Sequence, residues 1–205
     1  MITIHTVGDS HADGYHSHWG YIKIPNVNII THHIGGKLMY SFGQHGLNLC
    51  NIKNYDVKNN DIVIFCFGEI DCRNHVHKHI SGFKSYENII DSLVESYFKS
   101  IKCNMEQYKS LKICVYNVIP PTKSFYCDKS HPFPFLGSDE ERKMYYRYMN
   151  KKLEELCKLY GYFFFDIYTA SSDNEGFLNK KYSDGNVHLR NTSDAKQKIL
   201  ELIRT

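Results

Sequence analysis

Residues 2–7, ITIHTV, alternate between the two faces of an extended chain, are rich in β-branched types and stop at Gly8. The pattern predicts a first strand that delivers the chain into a loop holding Asp9, Ser10 and His11. A second β candidate lies within residues 21–34, where Pro25 leaves open a hairpin or two short pieces. Residues 61–67, DIVIFCF, carry after Asp61 a continuous apolar run that ends at Gly68, as expected of a strand buried on both faces. A polar loop over residues 69–79 is expected to follow it.

The next apolar positions change period. Ile89, Ile90, Leu93, Val94, Tyr97, Phe98 and Ile101 form one stripe of a 3.6-residue repeat and predict a helix over residues 86–107 that covers a sheet. Residues 111–119, LKICVYNVI, read as another buried strand, halted by Pro120 and Pro121. The aromatic and proline-rich stretch up to Gly137 is long for a plain connection and reads as a substrate-side feature. Ser138 with Glu141 is a capping-box signal for a helix to about residue 160, and Gly161 supplies its stop. Residues 162–166, YFFFD, predict a strand. Ser193 and Asp194 are placed to cap a last helix with Ile199, Leu202 and Ile203 facing inward. Strand, helix and strand repeat, which implies an α/β fold with a mostly parallel sheet and helices on both faces. Ligands in such folds bind where strands end.

The bulk numbers narrow this picture. With 205 residues, 42% hydrophobic and 14% aromatic, the chain can bury one full core but not two, so residues 1–205 are expected to form a single domain. The net charge of +3 is small and the 25 basic residues are dispersed, which argues against a nucleic-acid partner. No run reaches the ~20 apolar residues of a spanning helix, and the N-terminus opens directly into the first strand. No membrane partner and a cytoplasmic location are expected. Seven cysteines without a C-x-x-C pair, Cys50, Cys66, Cys72, Cys103, Cys114, Cys127 and Cys157, fit buried free thiols in a reducing compartment.

Candidate chemistry starts at Ser10. A serine at a strand-to-loop junction after a glycine projects its hydroxyl from the sheet edge, near backbone N–H groups able to face an oxyanion; the plain alternative is a turn serine bonded to its own backbone. Near the C-terminus Asp184 and His188 stand four residues apart, and on a helical turn that spacing puts carboxylate and imidazole on one face. His11, His16, His18, His32, His33, His75, His77 and His79 are plentiful. Extended, the H-x-H-x-H run would align three imidazoles as metal ligands, but it lacks the closed set of a zinc site, so no metal is assigned, and these rings equally suit a polar cleft. Tyr145, Tyr146 and Tyr148 read as packing rather than a sugar platform.

In chain order, GDSH at residues 8–11, the pair Gly35 and Gly36, GEID at 68–71 and DGNVHL at 184–189 resemble the four blocks of the SGNH, or GDSL-type, hydrolase superfamily. The resemblance spans nearly the whole chain and implies a three-layer, flavodoxin-like α/β/α sandwich. It also implies Ser10 as nucleophile, His188 and Asp184 as its partners, and an oxyanion hole lined by the N–H groups of Ser10 and of Gly35 or Gly36. Two departures stand out. Where the family has an oxyanion asparagine this chain has Asp71, which as a carboxylate accepts but cannot donate; either it is held protonated or it orients its neighbours. The last block also carries one residue more than D-x-x-H.

FGEIDCRNH, residues 67–75, further resembles a branch carrying FGEIDCR that is found beside sugar-modifying enzymes and includes acetyltransferase domains of giant viruses. That resemblance implies a small-molecule sugar or nucleotide-sugar partner, acetyl-CoA as co-substrate with no tightly bound cofactor, and acetyl transfer as the reaction, with carbohydrate O-acetylester hydrolysis as the alternative. Arg73 is then a candidate anion fork, or else the partner of Glu69 or Asp71 within its loop. Glu69 and His11 complete the candidate substrate-side set. Two other classes stay in view. A metal-dependent phosphoesterase rests on D-x-H at Asp9 and His11, but Glu69 stands where it wants an aspartate; a catalytically silent sugar-binding relative rests on the missing asparagine.

Overall fold

The computed structural model describes residues 1–124 and 132–204. Five strands, β1 (Ile2–Gly8), β2 (Val27–His33), β3 (Ile62–Cys66), β4 (Lys112–Tyr116) and β5 (Phe163–Phe165), pair in parallel in the order β2-β1-β3-β4-β5. Alternation along the strands feeds two cores. Val7, Val63, Phe65, Ile113 and Val115 enter one core, while Ile4, Ile62, Ile64, Cys66, Cys114, Tyr116 and Phe165 enter the other. Against the first face pack α1 (Met39–His45), α3 (Tyr86–Met105) and α4 (Asp139–Tyr160). Against the second pack α6 (Thr192–Arg204) and the turn carrying buried Trp19. Two short helices, α2 (Val76–His79) and α5 (Tyr168–Ser171), complete the set. The result is the three-layer α/β/α sandwich with an all-parallel sheet.

The stripe of α3 is buried as its period requires, and its seven apolar side chains contribute at most roughly 1.5–3 kcal/mol each. The Ser138 capping box forms, and Gly161 closes α4 in the left-handed region at φ 71.

Four local expectations change. The second β candidate is the single strand β2, so the stretch forms neither a hairpin nor two short pieces, and residues 18–21 before it form a 3-10 turn. Residues 69–79 are not a loop: a π-helical turn, Asp71–His75, runs into α2, since Cys72 and Val76 bury themselves while Glu69 pairs with Arg73 one turn on. α1 was not anticipated; only Met39 and Phe42 of its seven residues are buried, too short a run to show a period. α6 is capped by Asn191, whose side chain accepts from the Asp194 N–H at 3.4 Å, so Ser193 and Asp194 lie inside the first turn. Among the described residues no helix is long and apolar enough to cross a membrane. Six described cysteines are unpaired, all buried except exposed Cys103; Cys127 lies outside the described residues, as does part of the proline-rich stretch.

Candidate active site

The strand order reverses direction between β1 and β3, the switch point beside which ligands bind in open parallel sheets. Gly8 ends β1 so close to β3 that a Cβ there would sit 1.9 Å from the Cys66 carbonyl oxygen. Asp9 N–H then donates to that same oxygen at 3.2 Å, and the chain turns over Ser10. The turn is strapped from below. Thr6 Oγ1 donates to Ala12 O at 2.7 Å, and Trp19 Nε1 donates to His11 O at 2.8 Å.

Onto this turn the C-terminal segment brings a histidine. His188 Nε2 lies 2.9 Å from Ser10 Oγ, and His188 Nδ1 lies 2.7 Å from Asp184 Oδ2. The Asp184–His188 spacing works through a tight loop rather than the expected helical turn. Gly185 takes φ 92, Asp184 Oδ1 accepts from the N–H groups of Asn186 and His188 at 2.9 and 3.1 Å, and Asp184 N–H donates to His188 O. The longer D-x-x-x-H spacing is thus absorbed by a glycine bend. Burial works against the Asp184 charge, yet its bonds to His188 and to the two N–H groups hold the carboxyl below its ordinary value. Burial leads the lowering of His188 below 6.5, with the nearby charge of His11 acting the same way. An imidazole neutral near neutrality, oriented by a carboxylate and bonded to a serine hydroxyl, is equipped to take that hydroxyl's proton.

The glycine pair arrives through β2. Ile34 N–H donates to Gly8 O at 2.9 Å, which holds the following loop beside the serine turn, and Gly35 adopts φ 85 with no atom within 4 Å of where a Cβ would stand. The N–H groups of Ser10, Gly35 and Gly36 donate to no protein acceptor among the described residues. They are the free donors from which an oxyanion hole is built.

The remaining candidates take structural posts. Asp71 is fully buried, and its Oδ2 and Oδ1 accept from the N–H groups of Met39 and Tyr40 at 2.6 and 3.1 Å. It orients the start of α1 through both carboxyl oxygens. Burial pushes its carboxyl up to about 7, against the pull of those two N–H groups. Arg73 is 2% exposed and donates through Nη2 to Glu69 Oε2 at 2.9 Å; Glu69 Oε1 also accepts from the Tyr146 hydroxyl at 2.9 Å. Of the two readings of Arg73, the ion pair with Glu69 inside its own turn is formed. His11 Nδ1 lies 3.0 Å from Asp9 Oδ1 and Nε2 3.2 Å from Val187 O. Both partners accept, so both ring nitrogens carry protons. Burial opposes that charge, but Asp9 outweighs it and raises the His11 pKa. His11 therefore braces the serine turn against the histidine loop as an imidazolium.

The H-x-H-x-H run is helical, so its alternate residues do not share a face. The rings of His75 and His79 lie 4.3 Å apart, tilted by 51°, while His77 Nδ1 lies 3.1 Å from the Tyr145 hydroxyl. Among the described residues no group of three His, Cys, Asp or Glu side chains is placed to hold a metal. Tyr145 and Tyr146 are 1% exposed and Tyr148 donates to Asp91, so all three are packing residues.

Sequence reasoning did not single out His16 or Asp13. The His16 ring lies 5.1 Å from that of His188, and its Nδ1 is 2.5 Å from Asp13 Oδ2. The signal was an aspartate three residues before a histidine in the serine's own turn. Beyond the loop of Asp184 lies a groove of about 590 Å³, lined by Thr122, Lys123, Phe177, Asn179, Lys180 and Ser183 among others. Thr122 Oγ1 ties groove and loop together by donating to Asn186 O at 3.0 Å.

No family model matches the sequence, and no curated protein matches it. In three dimensions the chain is similar to a member of the lipolytic protein G-D-S-L family from Veillonella parvula, at 15% identity and TM-score 0.62 over 100% of this chain and 99% of that one. It is similar to the native aryl esterase of M. smegmatis, at 14% identity and TM-score 0.60 over 100% and 99% of the two chains. A GDSL-like lipase from Bacteroides thetaiotaomicron shares 15% identity at TM-score 0.60, over 98% of this chain and 85% of its own. At such identities the likeness establishes a common fold, that of the GDSL-type hydrolases.

Proposed function

We propose that this protein carries out acyl chemistry on carbohydrate through an ester of Ser10. The observation that carries the reading is the unbroken relay from Asp184 through His188 to the Ser10 hydroxyl. Ser10 Oγ attacks the acyl carbonyl carbon as its proton passes to His188 Nε2. The oxyanion is received by the free N–H groups of the serine turn and the glycine loop. The C–O or C–S bond to the leaving group then breaks, and that group takes the proton from His188. A second hydroxyl, of water or of a sugar, reverses these steps and frees the serine. A positioned base contributes about 10² to 10⁴ in rate and one oxyanion donor about 3 kcal/mol.

The names of the similar structures, a lipase and an esterase among them, favour water as the acceptor and hence a carbohydrate O-acetylesterase. The FGEIDCR stretch supports the second reading, acetyl transfer from acetyl-CoA to a sugar or amino-sugar nucleotide. The groove beyond Asp184, with Phe177 among polar side chains, has the size and mixed lining of a small-molecule site. Incubation with acetylated sugars, and separately with acetyl-CoA plus amino-sugar nucleotides, distinguishes the two. Acetate release from the former supports the esterase; free thiol together with an acetylated sugar supports the transferase. Neither product would overturn carbohydrate acyl chemistry.

A further inference from the structure

Two histidines flank His188, and they are bound differently. His11 and His16 each place a ring 5.1 Å from the His188 ring. Both nitrogens of His11 are spent on Asp9 and Val187. His16 spends only Nδ1, on Asp13, and its Nε2 meets no partner among the described residues. Its side chain is 42% exposed where that of His11 is 6%. Asp13 is itself fixed, since its Oδ1 accepts from Tyr15 N–H at 3.1 Å and its carbonyl accepts from Ser17 N–H at 3.2 Å. In the neutral ring a carboxylate on Nδ1 keeps the proton there and leaves Nε2 a lone pair, and the free edge of His16 is then a hydrogen-bond acceptor beside the base. Around it stand the Tyr15 ring at 5.0 Å, 75% exposed, and the His33 ring at 6.2 Å. Flat rings beside an acceptor suit the mixed apolar and hydroxyl surface of a sugar.

We propose that His16, oriented by Asp13, binds the hydroxyl-bearing partner of the acyl group: its Nε2 accepts a hydrogen bond from a second hydroxyl of a polyhydroxy acceptor or leaving group. This rests on the acyl reading above. In transfer, the acceptor oxygen forms a new C–O bond to the carbonyl carbon of the Ser10 ester. Its proton goes to His188 Nε2, the C–Oγ bond breaks, and Ser10 Oγ takes that proton back. His16 exchanges no proton in these steps; it turns the attacking hydroxyl toward the ester. In hydrolysis of a sugar ester the same contact holds the departing sugar.

The test uses p-nitrophenyl acetate as donor, with methyl glucoside and methanol as competing acceptors, and measures the ratio of acetylated glucoside to methyl acetate by mass. Methanol has no second hydroxyl, and the ratio is internal to each acyl-enzyme, so a variant that acylates slowly still reports it. Expected are a preference for glucoside per mole in the wild type, a fall of at least about ten-fold in His16→Ala, and a fall in the same direction in Asp13→Asn. No glucoside preference in the wild type, or a ratio within two-fold of it in His16→Ala, would overturn the proposal. Intact mass of the quenched wild type separates the two levels: absence of an acetyl group on Ser10 sinks the acyl reading and this inference together.

Discussion

His188 Nε2 lies 2.9 Å from Ser10 Oγ across 178 residues of sequence. Two ties make the approach rigid: His11, next to the serine, is bonded to Val187, next to the histidine, and Thr122 holds Asn186. Asp184 completes the arrangement by fixing the tautomer that leaves Nε2 free to accept. Asp184→Asn is therefore expected to lower kcat by about 10² to 10⁴, with KM little changed, because the wrong tautomer faces Ser10. Steady-state kinetics on p-nitrophenyl acetate measure it, and a loss below about three-fold would contradict the role.

The pH profile follows from the sign of the His188 shift. The base works only when neutral, so kcat/KM should fall with decreasing pH through a pKa below the ordinary 6.5. The His11 imidazolium disfavours a second cation beside it. His11→Asn removes that charge and leaves Asp9 unpaired, so the acid limb should move to higher pH. A limb that stays in place, or moves to lower pH, would contradict the assignment of charge to His11.

Arg73→Ala should act on stability. The Arg73–Glu69 pair is 3–4% exposed, and removing one partner strands a buried charge, which costs about 3–5 kcal/mol. Urea denaturation measures this, and Arg73→Met with Glu69→Gln should recover most of it. Unchanged stability with a raised KM would instead return Arg73 to the substrate.

The sequence patterns that led to the right places did so for physical reasons with limited reach. The doubly buried strands and the α3 stripe were legible because burial imposes a period that neighbouring residues share. Ser10, His188 and Asp184, which the structure brings within hydrogen-bond reach of one another, stood out because they lie in short blocks at distant parts of the chain. Of the two expectations for Asp71, its hold on the start of α1 is the one seen, thirty-two residues upstream by the shorter bond, and the sequence did not say which neighbours it would orient because α1 is too short to announce itself. His11 and His16 look alike in sequence; only the bonding partners of their nitrogens separate a brace from an open acceptor.

Asp71 also makes a stability prediction. Its pKa of about 7 in the folded protein stands above the ordinary 3.8, so the folded state holds the proton more tightly. The stabilisation from this group is fully present below the unfolded value and is lost as pH rises through about 7. Asp71→Asn should flatten that part of the curve of unfolding free energy against pH. A variant with the full wild-type slope would place the slope elsewhere.

The central claim is that Ser10 becomes covalently acylated. Rapid quenching with p-nitrophenyl acetate followed by intact mass and peptide mapping tests it directly. The account predicts one added acetyl group on the peptide containing Ser10 in the wild type at early times, slow to form in His188→Ala and missing in Ser10→Ala. Turnover in Ser10→Ala at the wild-type rate, or an acetyl group found only elsewhere, would contradict it.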